Sequence, residues 1–283
     1  MQQIKKAAEA FLREHLERNR LPEPLRARLA VRAHENRNGC RMDIRHPKAF
    51  QEKLLWYQLH YRHEDLGQIV DKYRFKQYLD EKLGPGCTVP MLGVWDSAEA
   101  FRRDWERLPE SFCLKSTLQY GGRGIRVIRR RSEEDLQELT TFVRHFLNPR
   151  HTLINSYYSV YDDAVPRIMA EQLLEPVPGR ALDYKVFCFS GEPYILSFCN
   201  FTWSRMDEAY EDDRQKPLHF EEMKALAKTL SKPFPFVRVD FFNTTEKLYV
   251  AELTFNPGVG NMKDQPETFY MGVGELLVLP EGN

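Results

Sequence analysis

Asp240 and Glu252 are the residues of this sequence whose type and spacing point most directly to chemistry. They fall in Phe236-Val-Arg-Val-Asp240-Phe-Phe242 and Leu248-Tyr-Val-Ala-Glu252-Leu253, two strand-like runs flanking a short polar turn, which read as a β-hairpin. On an antiparallel pair, two such residues can lie side by side on one face. Adjacent carboxylates repel unless a cation lies between them. Mg²⁺ suits the gap, because it takes oxygen ligands and is held by one or two carboxylates together with substrate phosphates. Strand alternation puts Arg238 with Asp240 and Glu252 with Thr254, and Asn256 has the same parity as Glu252. A solvated hairpin face is the ordinary explanation for a lone Asp and Glu. Pro257-Gly258 and Gly260, directly after the strand, weigh against it by marking a tight loop at the site's edge.

A second group is Lys115-Ser-Thr-Leu-Gln-Tyr-Gly121-Gly122-Arg123-Gly124, between two strand-like segments. A lysine at a strand end followed by a glycine turn can hold a polyphosphate. The lysine supplies charge, and the glycines let backbone N–H groups come close. The phosphate-loop pattern G-x-x-x-x-G-K-[ST] is absent, and a plain hairpin turn is the competing explanation. A third group is Lys72 and Lys76, which project from one face of a helix at i,i+4 spacing; a solvated charged face is its alternative.

The elements that must position these residues fall into two styles. The first 83 residues read as helical: residues 4–18, a segment after Pro22 or Pro24, one starting near Pro47 with Phe50, Leu54, Tyr57 and Tyr61 as its apolar stripe, and one from Leu66 to Leu83. Strands and hairpins then dominate: 112–115, 124–129, 167–171, the 184–189/194–199 hairpin and the metal-type hairpin. Helices at 132–146 and 219–231 interrupt them. The pattern is α+β.

The chain has 283 residues, 41 Lys+Arg against 41 Asp+Glu, 42% hydrophobic and 29% charged residues. This is a folded composition, with no cationic excess for general nucleic-acid binding. Arg123, Arg126, Arg129, Arg130 and Arg131 read as a solvated strand end before an anionic-substrate surface. Arg205 and Arg214 could hold an anionic substrate, or pair with nearby acids. Five scattered cysteines without C-x-x-C read as reduced thiols. The first residues lack the apolar core of a signal peptide, and no run approaches a membrane span. The expectation is therefore a cytoplasmic protein with no membrane span, and no oligomeric state can be assigned.

The order of these pieces resembles the ATP-grasp fold, two α+β subdomains that clamp ATP, here preceded by a helical N-terminal region. Pro47-Lys-Ala-Phe-Gln-Glu-Lys53, Val70-Asp-Lys-Tyr73, Pro90-Met-Leu-Gly-Val-Trp95, Asp183-Tyr-Lys-Val-Phe-Cys-Phe-Ser-Gly-Glu-Pro193 and Phe234-Pro-Phe-Val-Arg-Val-Asp240 are similar to the TupA-like branch, ATP-grasp proteins of cell-surface polysaccharide and teichuronopeptide biosynthesis. The resemblance spans roughly residues 44–264. It implies a helical region over 1–70, an N-terminal subdomain with a phosphate flap over 71–165, and a C-terminal subdomain with the metal site over 166–283.

Residue by residue, the resemblance implies that Lys72 and Lys115 contact ATP phosphates under a flap of Gly121, Gly122 and Gly124. Glu171 and Leu173 would border the adenine, and Asp183 would bind the ribose hydroxyls. Asp240 and Glu252 would hold Mg²⁺, with Asn256 in reach. Arg238 would stabilise the transferring phosphoryl group, with Lys115 assisting. The wider superfamily commonly carries Asn where this chain has Thr254, which leaves open one metal ion or two. The leading expectation is an ATP-dependent carboxylate–amine ligase acting on small-molecule or saccharide-linked substrates. The alternatives are a sugar or polyol kinase and a nucleotide-binding module without turnover.

Overall fold

The strands gather into two separate antiparallel sheets. The computed structural model describes residues 23–119, 122–148, 164–198, 202–206, 216–257 and 267–280, so the helix expected over 4–18 lies outside the described residues. In chain order come α1 (Glu23–Asn38), α2 (Phe50–His60), α3 (Leu66–Ile69), α4 (Lys72–Leu83), β1 (Met91–Trp95), α5 (Ala98–Arg103), β2 (Phe112–Ser116), β3 (Ile125–Ile128), α6 (Glu133–Leu147) and β4 (Ile168–Gln172). They are followed by β5 (Asp183–Phe189), β6 (Glu192–Phe198), β7 (Thr202–Arg205), α7 (Phe220–Ser231), β8 (Phe236–Asn243), β9 (Leu248–Thr254) and α8 (Glu267–Leu276). The described part of Glu64–Leu174 forms one compact unit, and that of Pro22–His63 with Glu175–Asn283 forms the other.

In the first unit the strand order is β1-β4-β2-β3. Alternation sends Phe112, Leu114, Ile128, Ile168 and Ala170 to one face, where they pack with Trp95, Phe101, Trp105, Phe142, Val143 and Phe146. The opposite face carries Cys113, Lys115, Met169 and Glu171. β4 was expected to open the C-terminal subdomain. It is instead an inner strand of this sheet, because β1 and β2 hydrogen-bond to its two edges. The helix expected from Leu66 to Leu83 is two helices. Asp71 takes an extended conformation, and its carboxylate accepts from the N–H groups of Tyr73 (2.9 Å) and Arg74 (3.4 Å), so Lys72 becomes the first residue of α4.

The second unit orders its strands β7-β6-β5-β8-β9. Ser190 (φ 49°) and Gly191 (φ 81°) turn β5 into β6, the two left-handed residues of a tight hairpin. One face packs on α7, where the Cys188 thiol meets the Ala227 carbonyl and Met223 is fully buried. The other face carries, in register, Lys185 opposite Asp240 and Phe187 opposite Arg238 on β5 and β8. Asp240 lies opposite Glu252 and Arg238 opposite Thr254 on β8 and β9. α2 covers one end of this face: Phe50 stacks edge-on against Phe236 at 5.4 Å, and the Tyr57 hydroxyl donates to the Phe236 carbonyl. The helices around Pro22 and Pro47, which the sequence groups with residues 1–70, therefore belong with the second sheet.

α8 is fastened to α2. The Lys53 ammonium donates to the carbonyls of Gly274 (2.7 Å) and Leu277 (2.8 Å) at the helix end. A Cβ on Gly274 would stand 2.3 Å from the Lys48 carbonyl oxygen, whereas one on Gly272 meets nothing within 4 Å. Gly274→Ala is expected to force α8 off α2 and cost roughly 1–3 kcal/mol. Gly272→Ala, in the same helix, should be neutral or stabilising by up to ~1 kcal/mol. Thermal unfolding of the two variants checks this contrast. Equal melting temperatures would show that Gly274 does not set the approach of the helices.

Candidate functional site

In the first unit the charged residues converge on Glu171. The residue is 3% exposed, and its carboxylate is buried. One oxygen meets the Lys76 ammonium at 2.5 Å and the other meets Lys115. Burial pushes the Glu171 carboxyl up, but Lys115 and Lys76 outweigh it and hold it below its ordinary value. Both lysines bring long apolar stems to the sheet and end on a shared carboxylate, which is how buried cations are tolerated. Lys76 also donates to the Val89 carbonyl at 2.7 Å. The sequence marked Lys76 only as a partner of Lys72 on a helix face; its place in this cluster was not visible there. A buried acid three strands away in the chain cannot be read from local spacing.

Lys72 points elsewhere on the same unit. Its ammonium donates to the Gln119 carbonyl at 2.6 Å, and its own N–H donates to the Thr117 carbonyl. It thus ties the start of α4 to the turn that follows Lys115. Within that turn Gly121 lies outside the described residues. Gly122 has φ +76°, a left-handed conformation that favours glycine. Gly124 is required by space: a Cβ there would lie 2.7 Å from Gln119 Cβ and 2.8 Å from Ser116 Cβ. The glycines therefore have two distinct reasons, conformation at Gly122 and close packing at Gly124. Leu173 follows the last residue of β4 and is half-buried. Arg126 and Arg131 lie over the Phe142 and Trp105 rings at 4.8 and 5.2 Å, so these two arginines are used within the fold.

In the second unit Asp183, Lys185, Arg238, Asp240, Glu252 and Thr254 share one sheet face. Arg238 grips Asp240 with two bonds, Nε to Oδ1 and a terminal nitrogen to Oδ2, both 2.6 Å, and reaches Thr254 Oγ1 at 3.2 Å. Lys185 pairs with Asp183. A β-bulge follows Asp240, where the register with β9 slips; bulges of this kind re-aim the side chains beside them. Burial pushes the Asp240 carboxyl up to about 6; Arg238 pulls against the shift and Glu252 adds to it. Lys185 is a second residue that sequence spacing missed. Its parity with Asp183 is visible, but its place opposite Asp240 depends on the β5–β8 register. Arg205 lies over the Tyr194 ring at 5.0 Å. Arg214, Gly258 and Gly260 lie outside the described residues.

The donor set fits Mg²⁺. Asp240 and Glu252 offer hard carboxylate oxygens on neighbouring strands, and Asn256 Oδ1 is buried with no hydrogen-bond partner among the described residues. A carboxylate has about four lone-pair sites, so Asp240 can serve a cation while it remains bonded to Arg238. Among the described residues no group of three or more His, Cys, Asp or Glu side chains is placed to hold a metal by itself. The two carboxylates would therefore need other oxygens to complete a shell, which phosphates provide.

A family model described as TupA-like ATPgrasp matches residues 52–278. No curated protein matches the sequence. Solved structures that align with the chain include the D-alanine-D-alanine ligase from Coxiella burnetii (19% identity, 69% of this chain and 49% of that one, TM-score 0.43). Others are the N5-carboxyaminoimidazole synthetase from Staphylococcus aureus complexed with ADP (17%, 75% and 53%, 0.44) and the D-alanine-D-alanine ligase from Helicobacter pylori (15%, 81% and 69%, 0.48). The chain spans about half the length of the first two. Among the described residues no helix is long and apolar enough to cross a membrane.

The raised Asp240 value has a measurable consequence. The folded chain keeps this proton up to about pH 6, while the unfolded chain releases it near the ordinary aspartate value of 3.8. Between those values the folded state binds more protons, so this group's contribution to stability falls as pH rises from about 4 to 6. Asp240→Asn should lose that slope, seen by comparing melting temperatures of the two chains across the window. Glu252→Gln removes one of the groups that raise Asp240 and should move its titration midpoint down, read from the carboxyl carbon by NMR. A midpoint near 4 in the unaltered chain would refute the assignment.

Proposed function

The chain belongs to the TupA-like ATP-grasp family and has the ATP-grasp fold, and we propose that it is a Mg²⁺- and ATP-dependent carboxylate–amine ligase. The observation that carries this reading is the division of charge between two sheet faces, each described in its own unit. One presents Lys115 at a strand end beside a glycine turn. The other presents Arg238 bonded to Asp240, with Glu252 opposite Asp240 on the neighbouring strand.

In this reading Lys115 and Lys72 meet the phosphates, and the turn of Gly121, Gly122 and Gly124 lies over them. Glu171 and Leu173 border the adenine, and Asp183 takes the ribose hydroxyls. β4 has both edges occupied by β1 and β2 up to Gln172, so any backbone reading of the base falls to residues from Leu173 onward. Asp240, Glu252 and Asn256 would hold Mg²⁺, which supplies charge screening at the phosphates when bound. Arg238 is oriented by its two bonds to Asp240 and stabilises charge on the phosphoryl group in transfer.

The reaction is written in two steps. A substrate carboxylate oxygen attacks the γ-phosphorus, the bond to the β-phosphate oxygen breaks, and ADP leaves. The amine nitrogen then attacks the acyl carbon, phosphate departs, and the nitrogen gives up its proton. The protein's share is positioning and electrostatics rather than covalent participation. A carboxylate and an amine on small or saccharide-linked substrates, in surface polysaccharide assembly, are the proposed class, and the cytoplasm is the proposed place.

Incubation of the full chain with Mg-ATP, mixed amino acids, uronic acids and amino sugars, followed by mass spectrometry, tests this. The expected product is an amide, with ADP and phosphate released only when acid and amine are both present. A phosphorylated alcohol would make the protein a kinase and overturn the ligase reading. Lys115→Ala is expected to lower Mg-ATP affinity about 10–100-fold in calorimetry, the equivalent of one charge-assisted hydrogen bond.

A further inference from the structure

The motif Lys72-x-x-x-Lys76 is only half used by the reading above. Lys76 is 8% exposed, and its ammonium is engaged by the Val89 carbonyl and by Glu171. Glu171 is the residue that also holds Lys115. The three side chains therefore form one chain of charge, cation–anion–cation, with a net charge of one positive unit.

We infer that Lys76 is a positioning residue that keeps Lys115 available to a nucleotide phosphate by taking up the charge of Glu171. The inference rests on the proposal that Lys115 meets phosphate. A Lys115–Glu171 pair alone would be neutral and would present no net charge to an incoming anion. Drawing Lys115 away from it would leave a buried carboxylate with no partner, which is strongly unfavourable. With Lys76 in place Glu171 keeps a cation at 2.5 Å whatever Lys115 does. Lys115 can then lean toward a phosphate without stranding a charge.

The geometry favours this role over direct contact with ligand. Val89 and Glu171 take the Lys76 ammonium on the protein side, and the residue is anchored on α4, whose start is fixed by the buried Asp71 cap. Lys115, by contrast, stands on β2 at the approach to the glycine turn. Lys76 thus acts through Glu171. Arginine in its place keeps the cation, and methionine keeps the apolar stem while removing the charge.

The test is a double-mutant cycle read by calorimetric titration of the full chain with Mg-ATP, with thermal unfolding as the check on folding. Lys76→Met should weaken Mg-ATP binding about tenfold, equivalent to ~1.4 kcal/mol. Lys76→Arg should bind close to the unaltered chain. In a chain that also carries Glu171→Gln, Lys76→Met should have no further effect, because no carboxylate remains to neutralise Lys115. An equal loss from Lys76→Met with and without Glu171→Gln would show a purely structural role and overturn the inference. So would unchanged affinity in Lys76→Met. If Lys76→Met does not fold, the comparison of Glu171→Gln with the double variant decides: equal affinities support the inference and a weaker double variant overturns it. Unchanged affinity in Lys115→Ala would instead overturn the reading of Lys115 as a phosphate ligand.

Discussion

A charge removed from water must meet an opposite charge, and in each unit this requirement shapes the charged face of the sheet. Glu171 is buried because two lysines meet it; Asp240 is buried because Arg238 grips both of its oxygens. In neither case does the cation come from the adjacent residue in sequence by chance. Lys115 and Glu171 share a face because β2 and β4 pair with Cys113 opposite Glu171. Arg238 and Asp240 share one because they are two apart on β8. The pleat thus decides which charges can compensate each other, and the buried pairs hold their groups in single orientations.

The apolar faces set the limits of these charged patches. In the first unit, the face carrying Phe112, Leu114, Ile168 and Ala170 is filled by the aromatic cluster around Phe101, Trp105 and Phe142, so charge can reside only on the opposite side. In the second unit, α7 packs on one face over β5, β6 and β8, while α2 takes one end of the other through Phe50 and Tyr57. The remaining end carries Asp183, Lys185, Arg238, Asp240 and Glu252. α8, anchored by Lys53, braces α2 and so supports Phe236 two residues before Arg238.

What was legible in the sequence follows the range over which each signal acts. That Asp240 and Glu252 lie on paired strands of one hairpin was legible because the turn is short, but their direct opposition was not: the register nearest the turn would put Asp240 opposite Ala251, and the bulge after Asp240 brings Glu252 there instead. The joint placement of Arg238 and Asp240 was legible from alternation along a single strand. The two-strand frame around Lys115 and the helix expected over 132–146, found as α6 (Glu133–Leu147), were equally local. The break at Asp71 was not, because an Asp inside a long helical pattern looks like a solvated residue until its carboxylate is seen accepting from Tyr73 and Arg74. The membership of β4 was missed because strand partners are chosen by the tertiary fold. The Lys76–Glu171 pair and the Lys185–Asp240 juxtaposition were missed for that reason too.

These pairings imply that ligand binding to either face would be an exchange of partners rather than the capture of an anion by bare cations. Lys72, Lys115, Lys185 and Arg238 each already meet a carbonyl or carboxylate of the protein. The gain on meeting a phosphate is then the difference between two charged contacts, smaller than a cation in isolation would supply. The benefit lies in orientation, since the side chains are ordered before the ligand arrives and less rotamer freedom is lost on binding. It also favours ligands that offer several anionic oxygens with a cation, because only such a ligand can replace the protein's own carboxylates without leaving one of them unpaired. A Mg²⁺-bound polyphosphate meets that condition on the face of Asp240 and Glu252, whereas a single carboxylate does not.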